Sequence, residues 1–416
     1  MAKKKQSENS GESLSRTAWR RFRRDKLAIT GFAIIAIVSI ISVLGSLIRP
    51  DQTQDVSQRV EEIEFKSPGF STLILKEKVD HMIKYSSVFD RMFFGGKDLE
   101  YKNFAIKNDY SFYKHNIIIK RNTERNLKPD TIPLPGILYS LSYNNEYVFN
   151  GDSVTFLVNG EGRITRTIDN MQSEVKSANI FERTYWLGTA KAGRDMLSLI
   201  MASNIVSLTV GFIAVFISLT IGISLGALAG YFRGWVDDMV TYIINVVWSI
   251  PTLLLVIAIS LSMGHGYTTV FVAVGLTMWV EVARIVRGQF LSVREKEFVE
   301  ASRALGFRSM RIIFKHILPN VMGPIIVIAS ANFAFAILIE SGLSFLGIGT
   351  TPPQPSLGTL VADYKDYITN DGQAYLAVLP GLMIVILVLA FMLIGNGARD
   401  AFDNRSSVGD IPASAA

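Results

Sequence analysis

Few side chains in this 416-residue sequence are of a type and spacing that could carry out a reaction. His265 and His316 stand apart with no second ligand near either, so no metal site is expected. There is no G-x-x-x-x-G-K-[ST] phosphate loop, no G-x-S-x-G elbow and no H-E-x-x-H pair. Cysteine is absent, which removes disulfides, thiolate metal sites and cysteine nucleophiles together. Ionisable residues in apolar surroundings are the remaining candidates. Glu281 and Arg284 lie one turn apart, where pairing could offset the roughly 2.5–3.5 kcal/mol that a charge costs at the centre of a bilayer. Glu340 is a functional candidate because acids within membrane spans are rare and tied to function. No residue is assigned a catalytic role. If the chain moves material uphill, the energy must come from an ion gradient or from a partner docked on a cytoplasmic surface.

These residues must be positioned by a chain built for a bilayer. It is 49% hydrophobic and only 19% charged, with a mean hydropathy of +0.30, beyond the range of an ordinary soluble domain. Residues 1–26 carry nine Lys or Arg against three acids, and residues 27–48 then run without a single Asp, Glu, Lys or Arg. About 20 apolar residues suffice to cross the hydrocarbon. A cleaved signal peptide would have an apolar core of about 7–15 residues, so the run reads as an anchor. Its basic flank reads as cytoplasmic rather than as a nucleic-acid site. Further spans are expected at 205–229, 239–263, 270–286, 321–346 and 376–394, which makes six. Alternation puts the segment between the fourth and fifth spans in the cytoplasm, and residues 284–315 hold eight basic side chains against three acids, in agreement with the first flank. The tail, 398–416, is then cytoplasmic too.

The connection 49–185 would face the opposite side and is long enough for a domain of its own. Residues 154–158 and 163–168, separated by Asn159-Gly160-Glu161-Gly162, read as a β-hairpin, and 115–120 as a further strand. Pro129, Pro133 and Pro135 suggest a linker or turn. Within the spans, Gly222, Gly226 and Gly230 recur every four residues, a pattern that suits close helix packing. Pro251 and Pro324 each interrupt an apolar helix. Asn245 and Asn332, with Pro251 and Glu340, could line a passage.

One polar stretch, 294–320, separates two of these apolar segments. Phe298, Ala301 and Leu305 recur at spacings of three and four and make a narrow apolar stripe beside Glu297 and Glu300. Gly306 supplies a stop with freedom for positive φ, and the pattern restarts at Ser309 with Ile312, Ile313 and Ile317 before Pro319. A helix, a glycine turn and a second helix are expected.

Glu300-Ala301-Ser302, then Gly306, then Ile317-Leu318-Pro319 resembles the E-A-A signature of the membrane subunits of ABC importers. Further motifs resemble the dipeptide, oligopeptide and nickel permeases, in their C-type subunit. They are Trp19 to Ala28, Leu187-Gly188-Thr189 with Gly193 to Ser198, Glu340 to Gly347, the loop Pro352 to Ser356, and Arg399 to Asp403. The resemblance implies an α-helical polytopic fold of six transmembrane helices, the type I importer permease fold, with a partly β extracytoplasmic domain inserted at 49–185. The transport core would be 186–397. It also implies a second permease as heterodimer partner, one or two ATPase subunits, and an extracytoplasmic substrate-binding protein. ATP and Mg would be bound by the ATPase subunits and no cofactor by this chain, whose termini would be cytoplasmic in a prokaryotic inner membrane. Carried over residue by residue, Phe298, Glu300, Ala301, Ser302, Leu305, Gly306, Leu318 and Pro319 would form the coupling loop against the ATPase. Ser302 stands where the signature usually has alanine, Ala190 where the family usually has aspartate, and Leu357 where tryptophan is common. The insertion 49–185 is longer than the family usually carries. A secondary transporter would need no cytoplasmic partner but should show internal repeats or mid-membrane ionisable groups. A non-transporting scaffold for the outer domain is the other alternative.

Overall fold

The computed structural model describes residues 14–80, 98–123, 128–141, 147–264, 266–349 and 354–402. Asn-free and almost uncharged, helix α2 (Lys26–Val43) is launched by Asp25, whose side chain accepts hydrogen bonds from the backbone N–H of Leu27 and Ala28 at 2.9 and 3.3 Å. The preceding helix α1 (Leu14–Phe22) carries Arg20 and Arg21 in its last turn. In the transport core follow α5 (Met196–Phe232), α6 (Gly234–Trp248), α7 (Thr252–Met263), α8 (Tyr267–Val293), α9 (Glu297–Ala304), α10 (Met322–Phe345), α11 (Leu357–Tyr364) and α12 (Tyr375–Phe402); α3 and α4 lie in the domain described below.

Among the described residues, five helices are long and apolar enough to cross a membrane: α2, α5, α8, the run ending in α10, and α12. A sixth span arises only if α6 and α7 count as one, and these two helices meet at 87°. Pro251 stands at that break with extended backbone; it has no N–H to donate to the preceding turn, so the apolar run cannot continue as one straight helix. Pro324, expected to interrupt a helix, instead sits in the first turn of α10, where its missing donor costs nothing. The unforeseen proline is Pro380, inside α12.

The helices pack closely because glycine lets their backbones meet. A Cβ on Gly222 would fall 2.5 Å from Val282 Cβ, one on Gly226 2.5 Å from the Ala283 carbonyl oxygen, and one on Gly230 2.6 Å from Phe290 Cβ. The four-residue repeat of α5 is thus the seam against α8.

Between α2 and α5 the described residues build three three-stranded antiparallel sheets. β1 (Phe70–Lys78) lies between β2 (Tyr101–Ile106) and β9 (Ile180–Tyr185). β3 (Ser111–Tyr113), β4 (Asn116–Ile119) and β5 (Asp130–Pro133) form the second sheet, and β6 (Val148–Asn150), β7 (Ser153–Val158) and β8 (Gly162–Thr167) the third. The expected hairpin is β7–β8, and the expected strand near 115–120 is β4. Of the prolines read as a linker or turn, Pro129 lies outside any element, while Pro133 ends β5, where it pairs with Asn116, and Pro135 is in the first turn of helix α3 (Leu134–Leu138). Both positions tolerate a missing donor, one at a strand end and one in a first helical turn. Helix α4 (Ile168–Glu174) leads back into β9, and Leu75, Ile117, Ile119, Leu134, Phe156 and Met171 close a common core.

This β-rich region is tied to the helices at one end of the bundle. Lys66 N–H donates to Thr189 Oγ1 at 2.8 Å and Thr189 N–H to the Lys66 carbonyl at 2.9 Å. The Tyr375 hydroxyl, at the start of α12, lies 2.7 Å from the Lys66 carbonyl and 2.6 Å from that of Thr189. Arg49 donates to the carbonyls of Asp51, Thr53 and Gln54 just beyond α2.

Candidate functional site

The stretch between α8 and α10 folds as a short amphipathic helix and a returning wide turn, and its two faces are sharply different. On α9, Val299 is 0% exposed and packs with Phe290, Ile312, Ile313 and Ile317, and Ser302 is buried on the same side. On the other side Phe298 is 38% and Leu305 72% exposed, with Glu297, Glu300 and Ala301 also open to solvent. The stripe expected from sequence therefore points outward, and the anchoring residue that was missed is Val299. Its spacing of three from Ser302 was a usable signal, hidden because the Phe298–Ala301–Leu305 pattern is more apolar. Ser302 belongs to the anchor: its hydroxyl donates to the Phe298 carbonyl at 2.7 Å.

Helix α9 ends in a left-handed residue, as its sequence requires. Gly306 has φ +76°, its N–H donates to the Arg303 carbonyl at 2.9 Å, and Phe307 N–H reaches back to Ser302 at 3.2 Å. That pair of bonds is a Schellman closure, which satisfies the last carbonyls of the helix. Phe307 then stacks on His316, ring centres 5.6 Å apart, which gives His316 a packing role. Leu318 is half-buried and Pro319 exposed where the turn enters α10.

The base of this loop is braced by charge. Arg287 of α8 makes a two-pronged contact with Asp237 of α6 at 2.5 and 2.7 Å, and Arg233, between α5 and α6, pairs with Glu295. Arg294 and Arg303 hold their guanidinium groups 5.8 and 5.5 Å from the Tyr231 ring. Burial, followed by the neighbouring Arg303 and Arg233, pushes the Arg294 guanidinium below its ordinary value, though it remains a cation at any physiological pH.

A second feature is a groove of about 250 Å³ lined by Trp248, Thr252, Thr277, Glu281, Phe335 and Ile339 among others. Glu281 is exposed and does not pair with Arg284, whose guanidinium lies 3.3 Å from the centre of the Trp248 ring. The expected one-turn ion pair is thus replaced by a cation–π contact. Asn245 and Pro251 are exposed on the same α6–α7 arm. Asn332 and Glu340 are not at this groove. Both are 0% exposed, and the two amide atoms of Asn332 have no hydrogen-bond partner. Glu340 accepts from Ser207 of α5 at 3.1 Å and from Ser344 at 2.9 Å, and the Ser344 hydroxyl is 3.3 Å from that of Ser356. It ties α5, α10 and the N-cap of α11 together. His265, Pro352, Pro353 and the tail from 403 lie outside the described residues.

The chain is similar to known membrane transport components. Residues 222–408 match the family described as the binding-protein-dependent transport system inner membrane component, and residues 13–68 the N-terminal TM domain of oligopeptide transport permease C. The dipeptide transport system permease protein of Alkalihalophilus pseudofirmus is 38% identical over 221 residues, 53% of this chain and 72% of that protein. The oligopeptide transport system permease protein of Escherichia coli is 38% identical over 231 residues, 56% of this chain and 76% of its own length. The glutathione transport system permease protein of Pectobacterium atrosepticum is 37% identical over 221 residues, 53% and 73% of the two chains. Among solved structures, an inward-facing methionine ABC transporter aligns with a TM-score of 0.43 at 22% identity, covering 50% of this chain and 98% of that one.

Proposed function

We propose, from the premise that this chain belongs to the binding-protein-dependent transport permeases as a C-type subunit of a peptide-type ABC importer, that it forms half of a translocation path and takes its energy through α9. The substrates are short peptides or related amide-linked solutes, as the names of its relatives suggest. Its partners are a second, related permease, one or two ATPase subunits that bind ATP and Mg, and an external substrate-binding protein. Family membership leaves the secondary-transporter and scaffold readings without support.

The observation that carries this reading is the division of α9. An exposed stripe of Phe298, Ala301 and Leu305 beside two carboxylates is set on a helix whose opposite side is keyed into the bundle through Val299. Such an element can take a push from a docked protein and deliver it to α8 and α10 as a rigid body, because a packed core shifts as a unit. Helix α1, the end of α12 and the loop lie at one end of the bundle: Phe22, Ala28 and Ala401 share a cluster, and Phe402 packs against Gly323. With its basic residues, this end suits the cytoplasmic side of a bacterial inner membrane. The β-rich region at the other end would then face the binding protein.

The test is an assembled importer in lipid, carrying Leu305→Asp, Glu300→Arg or Gly306→Val. Each should reach the membrane at normal levels while ATPase association weakens by roughly 30-fold, the effect of losing about 2 kcal/mol at an interface hot spot. Uptake should fall in step. Normal uptake in all three variants would remove the coupling role from this helix.

A further inference from the structure

One face of the sheet β2–β1–β9 is closed at one end by the chain that follows α2, where Ile74, Ala105 and Tyr185 meet Val60 and Ile63. Among the described residues, its other end is open. A cleft of about 340 Å³ lies between the sheet and residues 50–58. Register places Asn103 of β2 opposite Lys76, Phe181 of β9 opposite Ile74, Tyr101 opposite Lys78, and Arg183 opposite Thr72. Asn103 therefore sits midway along the cleft, with Arg183 toward one end and Tyr101 with Glu100 toward the other.

Three polar residues on the cleft wall are buried, and two of them are satisfied. Asp51 accepts from the Thr53 N–H at 2.9 Å, the Thr53 hydroxyl at 2.6 Å and the Gln58 N–H at 3.1 Å. Asn103 is 3% exposed, and neither its Oδ1 nor its Nδ2 has a partner. A buried, unsatisfied amide costs roughly 1–3 kcal/mol, and asparagine is disfavoured in strands, so packing offers no reason for it.

Its surroundings select a ligand chemistry. A primary amide presents one acceptor and two donors, which complement the N–H and C=O of a peptide group. Positive charge at one end comes from Arg183, which shares one N–H with Gln58 Oε1 at 3.2 Å, while the Lys76 ammonium lies over the middle, 4.4 Å from the centre of the Phe181 ring and 5.8 Å from that of Tyr101. Negative charge comes from Glu100, and Phe181 and Tyr101 supply apolar faces. The cleft adjoins the transport core, since the Asp51 N–H donates to Ser198 Oγ in the first turn of α5 at 3.0 Å.

We propose that this cleft binds short peptides, with Asn103 pairing to a peptide group, the carboxylate end toward Arg183, and the amino end toward Glu100. The site rests on the peptide-import reading above, and adds to it a point where this chain itself holds substrate outside the translocation path.

The experiment titrates the purified importer complex, without its binding protein, with trialanine and N-acetyl-trialanine by calorimetry. The wild-type complex should bind trialanine and prefer it to the acetylated form. Asn103→Leu should weaken binding by tenfold or more, as expected for a lost pair of amide hydrogen bonds at roughly 1 kcal/mol each. Glu100→Gln, at the partly exposed rim, keeps the domain folded even if the first variant does not, and should abolish the preference for a free amino end. Absence of binding, or binding unchanged in both variants, assigns Asn103 to an ordered water and overturns the proposal. Delivery of the same peptide by a binding protein into proteoliposomes separates the two ideas. Import without cleft binding overturns this site alone, whereas import restricted to non-peptide solutes overturns the substrate reading and this site with it.

Discussion

Asp195 holds the first turn of α5 together at a cost. Its Oδ2 accepts from the Ser198 N–H at 2.9 Å and from the Ser198 hydroxyl, while the residue itself is buried. Burial pushes its carboxyl above the ordinary value, against the pull of the Ser198 bonds and Arg183. A carboxyl raised in the folded state contributes stability that is fully present below its unfolded pKa of about 3.9 and is lost as pH rises through the folded value. Asp195→Asn keeps an oxygen for the cap and cannot ionise, so it should raise the melting temperature of the detergent-solubilised chain at pH near 7.5 and have little effect near pH 4. A gain of equal size at both would show that ionisation of Asp195 is irrelevant to stability. The same scale shows what was hidden in the sequence. Phe298, Leu305 and Gly306 were legible because spacing and backbone freedom are local properties. Val299 and Glu281 were not, because what anchors and what faces a groove depends on which side of a helix the rest of the bundle occupies.

Between elements, the seam of α5 against α8 is a close backbone contact along two membrane helices. At Gly226 an added Cβ would meet the Ala283 carbonyl at 2.5 Å and Val286 Cβ at 2.9 Å, so even a small side chain must push two membrane helices apart. Overpacking of a dense interior costs roughly 1–3 kcal/mol. Gly226→Leu should therefore lower the yield of folded, assembled complex and its melting temperature, whereas Gly288→Ala on α8, where an added Cβ meets nothing within 4 Å, should be neutral. Thermal unfolding of both variants in the same detergent checks this, and equal behaviour would deny the seam its role. The apolar runs of a membrane chain and this glycine repeat were legible because each is read within one helix, whereas the number of spans was not. The 87° bend beside Pro251 was legible only as a break, since its angle comes from the packing of α7. Prolines 133 and 135 misled because a strand end and a first helical turn accept the same residue that ends an element elsewhere.

At the scale of the molecule, the β-rich region can influence transport only if it is mechanically joined to the helices, and the segments 51–66 and 188–198 make that join. Tyr375 opens the last span, and its hydroxyl sits between the carbonyls of Lys66 and Thr189, on the two segments that flank the β-rich region. Gly188 and Gly193 are held there by contact: an added Cβ would lie 2.6 Å from the Lys66 carbonyl oxygen and 1.8 Å from that of Val60. A long connection with its own core was legible from its length and strand patterns, but this latch was not, because it joins residues 309 positions apart. Tyr375→Phe removes only the hydroxyl, leaving the ring against Gly188, and should cost about 1 kcal/mol. Local opening of the 63–69 and 188–195 segments would become about fivefold more frequent. Hydrogen exchange on the assembled importer should show faster exchange in those two segments, with α8, α9 and α10 unchanged. If the β-rich region relays binding-protein docking, stimulation of the ATPase by loaded binding protein should fall while basal ATPase activity stays level. Unchanged exchange would mean that the other contacts of the join hold it without Tyr375; faster exchange with full stimulation would make the β-rich region a passenger on the transport core.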